Sequence, residues 1–182
     1  MSSFYRSKYR SVEIVSGPSL GPTIGWMVLA LFAQVMFAPY LTIRGAVPSL
    51  ITIPVVLFAV RGGARRGAIL GILAGTLEDL YAGTPGGWTI ATTLLALGIG
   101  RMGRGFFSDG FPMLGALVAF GVLARDLIFW TVMRLQGYPR GFGVAHLHAA
   151  LYQAAFTGVI TVIYLVVRSR VVVDRTNVER YP

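Results

Sequence analysis

The chain contains no cysteine, which excludes disulfides, thiolate metal sites and cysteine nucleophiles. Charge is scarce as well: 13% of the 182 residues are charged, against roughly a quarter in soluble domains. Acids are the scarcest group, with 7 Asp and Glu against 16 Lys and Arg, giving a formal charge of +9. A basic excess of this kind accompanies nucleic-acid binding in soluble proteins. Here 55% of residues are hydrophobic and the mean hydropathy is +0.69, so the excess is better explained as the cytoplasmic loop charge of a bilayer protein, and no nucleic-acid partner is expected. Polar stretches long enough to bury a core are missing too. Only the tails 1–21 and 168–182 are polar, around a predicted transmembrane domain over 22–167. The amino tail lacks a cleavage site after the first apolar run, so that run is expected to remain as a transmembrane helix.

What the chain does have is a series of apolar runs. A hydrocarbon core about 30 Å thick needs about 20 apolar helical residues. The runs predict spans at 24–43, 46–60, 67–82, 88–100, 111–135 and 144–167. The expected fold is therefore an all-α integral membrane protein, a compact bundle of about six transmembrane helices. The middle three runs are short, which suits re-entrant segments or helices packed inside the bundle. Loop charge sets a direction. Arg6, Lys8 and Arg10, then Arg61, Arg65 and Arg66, then Arg101 and Arg104, and finally Arg168, Arg170, Arg175 and Arg180 fall on one side, against Arg44, Arg134 and Arg140 on the other. The positive-inside rule places both termini in the cytoplasm. Tyr40, Tyr81, Trp88 and Tyr138 then fall near the outer face and Trp26 near the inner one, as interfacial anchors do.

The third run holds Gly67, Gly71 and Gly75 at intervals of four, a row that lets a neighbouring backbone approach closely. Glu78 and Asp79 follow it. Carboxylates inside a span are costly and mark a function or a buried pair. Counting about 1.5 Å per residue from the inner end puts Asp79 roughly 18 Å up its span and Arg125, beside Asp126, roughly 21 Å up its own. His148, Tyr152 and Gln153 enter from the outer end of the last span. The group Glu78, Asp79, Arg125, Asp126, His148 and Gln153 is thus a candidate intramembrane polar network. A helix-fixing ion-pair network, a ligand pocket and an interfacial placement of the two acids all remain open at this point.

Signals for catalysis fail. Gly98, Gly100 and Gly103 form a G-x-G-x-x-G string, but it ends an apolar helix and follows no strand. His146 and His148, two apart, point about 200° away from each other on a helix, so they do not share a metal. No serine stands in a nucleophile elbow, and the glutamate pair of an intramembrane glutamic protease is absent because position 79 is Asp. Neither an enzyme nor a cofactor is expected. The basic and apolar tails suit anchoring to anionic membrane lipids or a cytoplasmic partner.

Between Arg44 and Gly105 the order of motifs is distinctive. Pro48 opens the run LITIPVVLFAV, Arg61-Gly62-Gly63 makes a basic turn, the three glycines line the next span, Asp79-Leu80 close it, and Pro85-Gly86-Gly87 fill the following loop. This stretch, about a third of the chain, resembles the MreD family of bacterial rod shape-determining proteins. An aspartate often follows the second-span proline in that family, where this chain has Ser49. The resemblance implies a non-catalytic scaffold of cell elongation and peptidoglycan synthesis in the bacterial inner membrane. Its implied partners are MreC and, in the same machinery, MreB, RodA and a class B penicillin-binding protein. It also implies a fold like the substrate-binding subunits of energy-coupling-factor transporters. A vitamin-type substrate-binding subunit, with its ligand in the outer half of the bundle, is the alternative expectation. A proton-coupled or lipid carrier using Asp79 or Asp126 is a weaker third.

Overall fold

The computed structural model describes residues 19–42, 44–102, 110–138 and 143–178, with the side chains of residues 20, 38, 39, 144, 145 and 171 onward excluded. The loop and tail cations Arg6, Lys8, Arg10, Arg104, Arg140 and Arg180 and the side chain of Arg175 lie outside the described residues. Within them the chain is all helical: α1 (Leu20–Phe37), α2 (Thr52–Ala82), α3 (Gly87–Met102), α4 (Phe111–Leu135) and α5 (Gly143–Val178). A 3-10 turn at Ala38–Leu41 follows α1, where Pro39 cannot continue an α-helix.

The second and third expected spans are joined in α2, whose only non-helical residue is Gly63, at φ 79° and ψ 176°. That conformation is essentially restricted to glycine. The bend is sharp. A Cβ on Gly67 would lie 3.3 Å from the Cα of Ala59, although eight residues of straight helix would separate the two by about 12 Å. The two limbs, 52–62 and 64–82, therefore fold back on each other as a hairpin with no loop.

The first limb starts six residues later than the apolar run suggested. Pro48 disfavours helix at the residue before it, and residues 47–49 carry no regular structure. From Ile51 to Val60 every residue except Pro54 is buried, so this limb is a core strut enclosed by its neighbours. The non-helical backbone leading into it is satisfied by side chains of other helices. The Ser49 N–H donates to Thr157 Oγ1 (3.0 Å), the Ile51 N–H to Gln34 Oε1 (3.2 Å), and Gln153 Nε2 donates to the Val47 carbonyl (2.7 Å). Irregular backbone at such depth persists only where protein groups replace water in this way.

Two helical stretches, Phe111–Leu135 and His146–Arg170, are long and apolar enough to cross a membrane, and Gly21–Phe37 is apolar but shorter. Of the about six transmembrane helices expected from the sequence, the middle three short, two are of spanning length and composition among the described residues. The physical cause lies in the middle of the chain. The first limb of α2 is only about 16 Å of helix, and α2 as a whole carries Arg61, Arg65, Arg66, Glu78 and Asp79. At the other end α5 continues through Val178, into the residues expected to form a polar tail.

Packing follows the glycines. A Cβ on Gly67 or Gly71 would come within 2.8 Å of the Ala96 carbonyl or 2.7 Å of the Thr93 Cα, and one on Gly75 would collide with the Thr89 Cα. The second limb of α2 thus lies backbone to backbone with α3, and Gly100 of α3 seats on the bend, 2.6 Å from the Ala64 Cα by the same measure. A second close approach, Gly115 on α4 against Gly158 on α5, holds the two long helices together.

Candidate functional site

Helix α2 ends in a left-handed glycine, Gly83 (φ 66°), whose N–H donates to the Asp79 carbonyl. The turn that follows delivers α3 beside the last turn of α2. This geometry sends Glu78 and Asp79, adjacent in sequence, to different partners.

Asp79 faces the start of α3. Its Oδ1 accepts from the Trp88 N–H (3.0 Å) and from the Thr84 hydroxyl, and its Oδ2 from the Thr89 N–H (2.8 Å) and hydroxyl (2.6 Å). The first N–H groups of a helix have no intrahelical partner, and that end carries partial positive charge. Asp79 answers both needs and serves as a remote cap for α3.

Glu78 faces α4. Arg125 Nη1 donates to both of its carboxylate oxygens, at 3.0 and 2.8 Å, and Arg125 Nη2 lies 3.8 Å from Asp126 Oδ1. Arg125 is 1% exposed, Asp126 2% and Glu78 5%. The Trp88 ring covers the guanidinium, with Cζ 4.5 Å from its centroid, and stacks on Phe129 at 3.8 Å and 9°. Arg125 and Phe129 share one face of α4 by their spacing of four, so the Trp88 indole closes both. The ring of His146, from α5, lies 6.2 Å from Phe129. Arg125 Nε, Asp126 Oδ1 and His146 Nε2 are buried with no hydrogen-bond partner among the described residues. One cation faces two carboxylates here, joining α2, α3, α4 and α5 at a single point.

The candidate network is therefore divided. Glu78, Arg125 and Asp126 come together, Asp79 turns to the α3 terminus, and Gln153 anchors the backbone at Val47. His148 is exposed, and His146 takes its expected place because the two lie on nearly opposite faces of α5. Trp88, expected near the outer face as an interfacial anchor, is half-buried and lies over the arginine. Gln34 and Thr157 escaped the sequence reading. The signal for Gln34 was an amide alone in an apolar run, and for Thr157 a hydroxyl four residues after Gln153.

Chemically, the arrangement can fix α2, α3 and α4 in register, and it leaves buried polar atoms of Arg125, Asp126 and His146 without a hydrogen-bond partner among the described residues. No family model, curated protein or solved structure matches this chain.

Proposed function

We propose that this chain is a non-catalytic membrane scaffold, of the kind its resemblance to the MreD family implies, with six crossings and both termini in the cytoplasm. The observation that carries this reading is the use made of the motif residues. Each of Gly67, Gly71, Gly75 and Asp79 meets the neighbouring helix α3 rather than an open cavity. Each of the six apolar runs contains a helix or helix limb, and the first limb of α2 is enclosed by its neighbours. Large apolar side chains are exposed on every helix, among them Phe32, Ile72, Leu94, Phe120 and Val159. An apolar exterior of that extent suits lipid contact better than water.

As a scaffold the bundle would dock the transmembrane helix of a single-span, coiled-coil partner such as MreC, next to MreB, RodA and a class B penicillin-binding protein in the bacterial inner membrane. Affinity purification from native membranes followed by mass spectrometry tests this. Recovery of such a partner with wall-synthesis proteins is expected, and recovery of ATPase subunits without any wall-synthesis protein would overturn the reading. One observation favours a second reading, a substrate-binding subunit of a small-molecule transporter: the three open polar atoms around Arg125, Asp126 and His146. That reading requires a vitamin-sized ligand and an ATPase module in the same purification.

A further inference from the structure

Helix α1 stands away from the bundle along part of its length. Between it, the first limb of α2 and α5 lies a cavity of about 490 Å³, inside the range of about 300–1,000 Å³ typical of small-molecule sites. Its walls are apolar, with Ala30 and Ala33 on α1 facing Ile53 and Leu57 on α2 and Ile160 on α5. Ser19 and Ala33 both border it, a separation of about 21 Å along a helix. That exceeds the ~15 Å of hydrocarbon in one leaflet. The cavity is also polarised. Arg61 and Arg168 border it together with Ser19 and Thr23 at the start of α1, and no acidic side chain among the described residues lines it. Trp26 and Tyr164 meet edge to face at 6.5 Å and 67° in the same wall, where amphipathic rings mark the boundary between headgroups and hydrocarbon.

We infer that this cavity holds an anionic phospholipid of the surrounding bilayer, with one acyl chain between Ala33 and Leu57 and its phosphate at Arg61 and Arg168. Three features converge on that occupant. The apolar walls fit a hydrocarbon chain, the two guanidinium groups match a phosphate in charge and hydrogen-bonding geometry, and their placement at one end orients the molecule. Under the proposed topology that end faces the cytoplasmic leaflet, where anionic headgroups bind basic pockets between helices. The bound lipid fills the gap that α1 leaves and ties it to α2 and α5.

This inference rests on the chain being embedded in a bilayer, and the test separates the two. The full chain is reconstituted into vesicles of phosphatidylcholine carrying a brominated acyl-chain lipid, either phosphatidylglycerol or phosphatidylcholine, and tryptophan quenching is followed. Trp26 borders the cavity, and subtracting the signal of the Trp26→Phe protein, which keeps Trp88 and Trp130, isolates its contribution. Half-maximal quenching of Trp26 is expected at a several-fold lower fraction of brominated phosphatidylglycerol than of brominated phosphatidylcholine. The Arg61→Gln/Arg168→Gln protein should lose that preference while keeping its helical circular dichroism. Equal quenching of the unaltered protein by the two lipids overturns the inference without recourse to any variant, as does a preference that survives the double substitution. Vesicle flotation is read in parallel. Protein that floats without preference refutes the lipid site alone, and protein that stays at the bottom refutes the membrane reading with it.

Discussion

Arg125 is enclosed by Glu78, Asp126 and the Trp88 ring, and its burial makes those neighbours interdependent. Removing one member of a buried ion pair leaves the other charge without solvent or partner, at a cost of about 3–5 kcal/mol, whereas replacing both with apolar residues is often neutral. Arg125→Leu is therefore expected to lower stability by about that amount, and Glu78→Leu/Arg125→Leu to recover part of the loss, with Asp126 still buried beside no cation. Thermal unfolding in detergent micelles measures both; additive losses in the double variant would show that the pair is not coupled. Asp79 belongs to a different argument. Asp79→Ala removes the acceptor for two N–H groups of α3 and should cost about 0.5–2 kcal/mol, with Asp79→Ser intermediate. The same unfolding series reads it, and a neutral Asp79→Ala would show that α3 is capped otherwise. Counting rise per residue brought Glu78 and Arg125 to a common depth in the sequence alone. It did not separate Glu78 from Asp79, because the partner of Asp79 depends on where α3 begins, and that is set by Gly83 and the turn after it.

At the scale of elements, the row of glycines is the feature that sequence spacing conveyed best. Its partner helix was not legible, since a spacing of four specifies a face but not what meets it. The structure supplies an internal comparison. A methyl group at Gly71 meets the backbone of Thr92 and Thr93, at 2.7–2.8 Å, so α2 and α3 have to separate. Gly98, on α3 as well, has nothing within 4 Å of the same methyl. Gly71→Ala should destabilise by about 1–3 kcal/mol, while Gly98→Ala should be neutral or stabilising by up to about 1 kcal/mol through helix propensity. Equal effects in a proteolysis or thermal assay would contradict the packing described. Helix α4 matches its apolar run from Phe111 to Leu135, because glycine and proline open it and nothing inside interrupts it. The run at 46–60 misled for the opposite reason. Apolar character reported burial correctly, but Pro48 and the side chains of Gln34, Gln153 and Thr157 keep its first part out of a helix.

For the molecule as a whole, the absence of cysteine is an experimental advantage. Single cysteines can be placed on an otherwise unreactive chain to read its orientation. Pro85→Cys and Tyr138→Cys, both exposed at one end of the bundle, should react with an impermeant thiol reagent in intact cells. Arg65→Cys and Met102→Cys, exposed at the other end, should react only after permeabilisation. The reverse pattern would invert the proposed topology. Charge distribution alone carries the proposed orientation, because the loop cations cluster by side in the sequence. The partition of polar residues between a lidded ion pair, a helix cap and a backbone anchor was not, since it arises only when five helices meet. The Gly63 bend also bears on how the chain is made. With no loop between them, the two limbs of α2 would enter a bilayer together as a hairpin under the proposed membrane reading. Glu78 arrives 47 residues before Arg125 exists to answer it. On that reading a chain halted before α4 is not merely shorter than the finished protein; it would leave in the membrane an acid with no counter-ion, and so would carry a chemical mark of its own incompleteness.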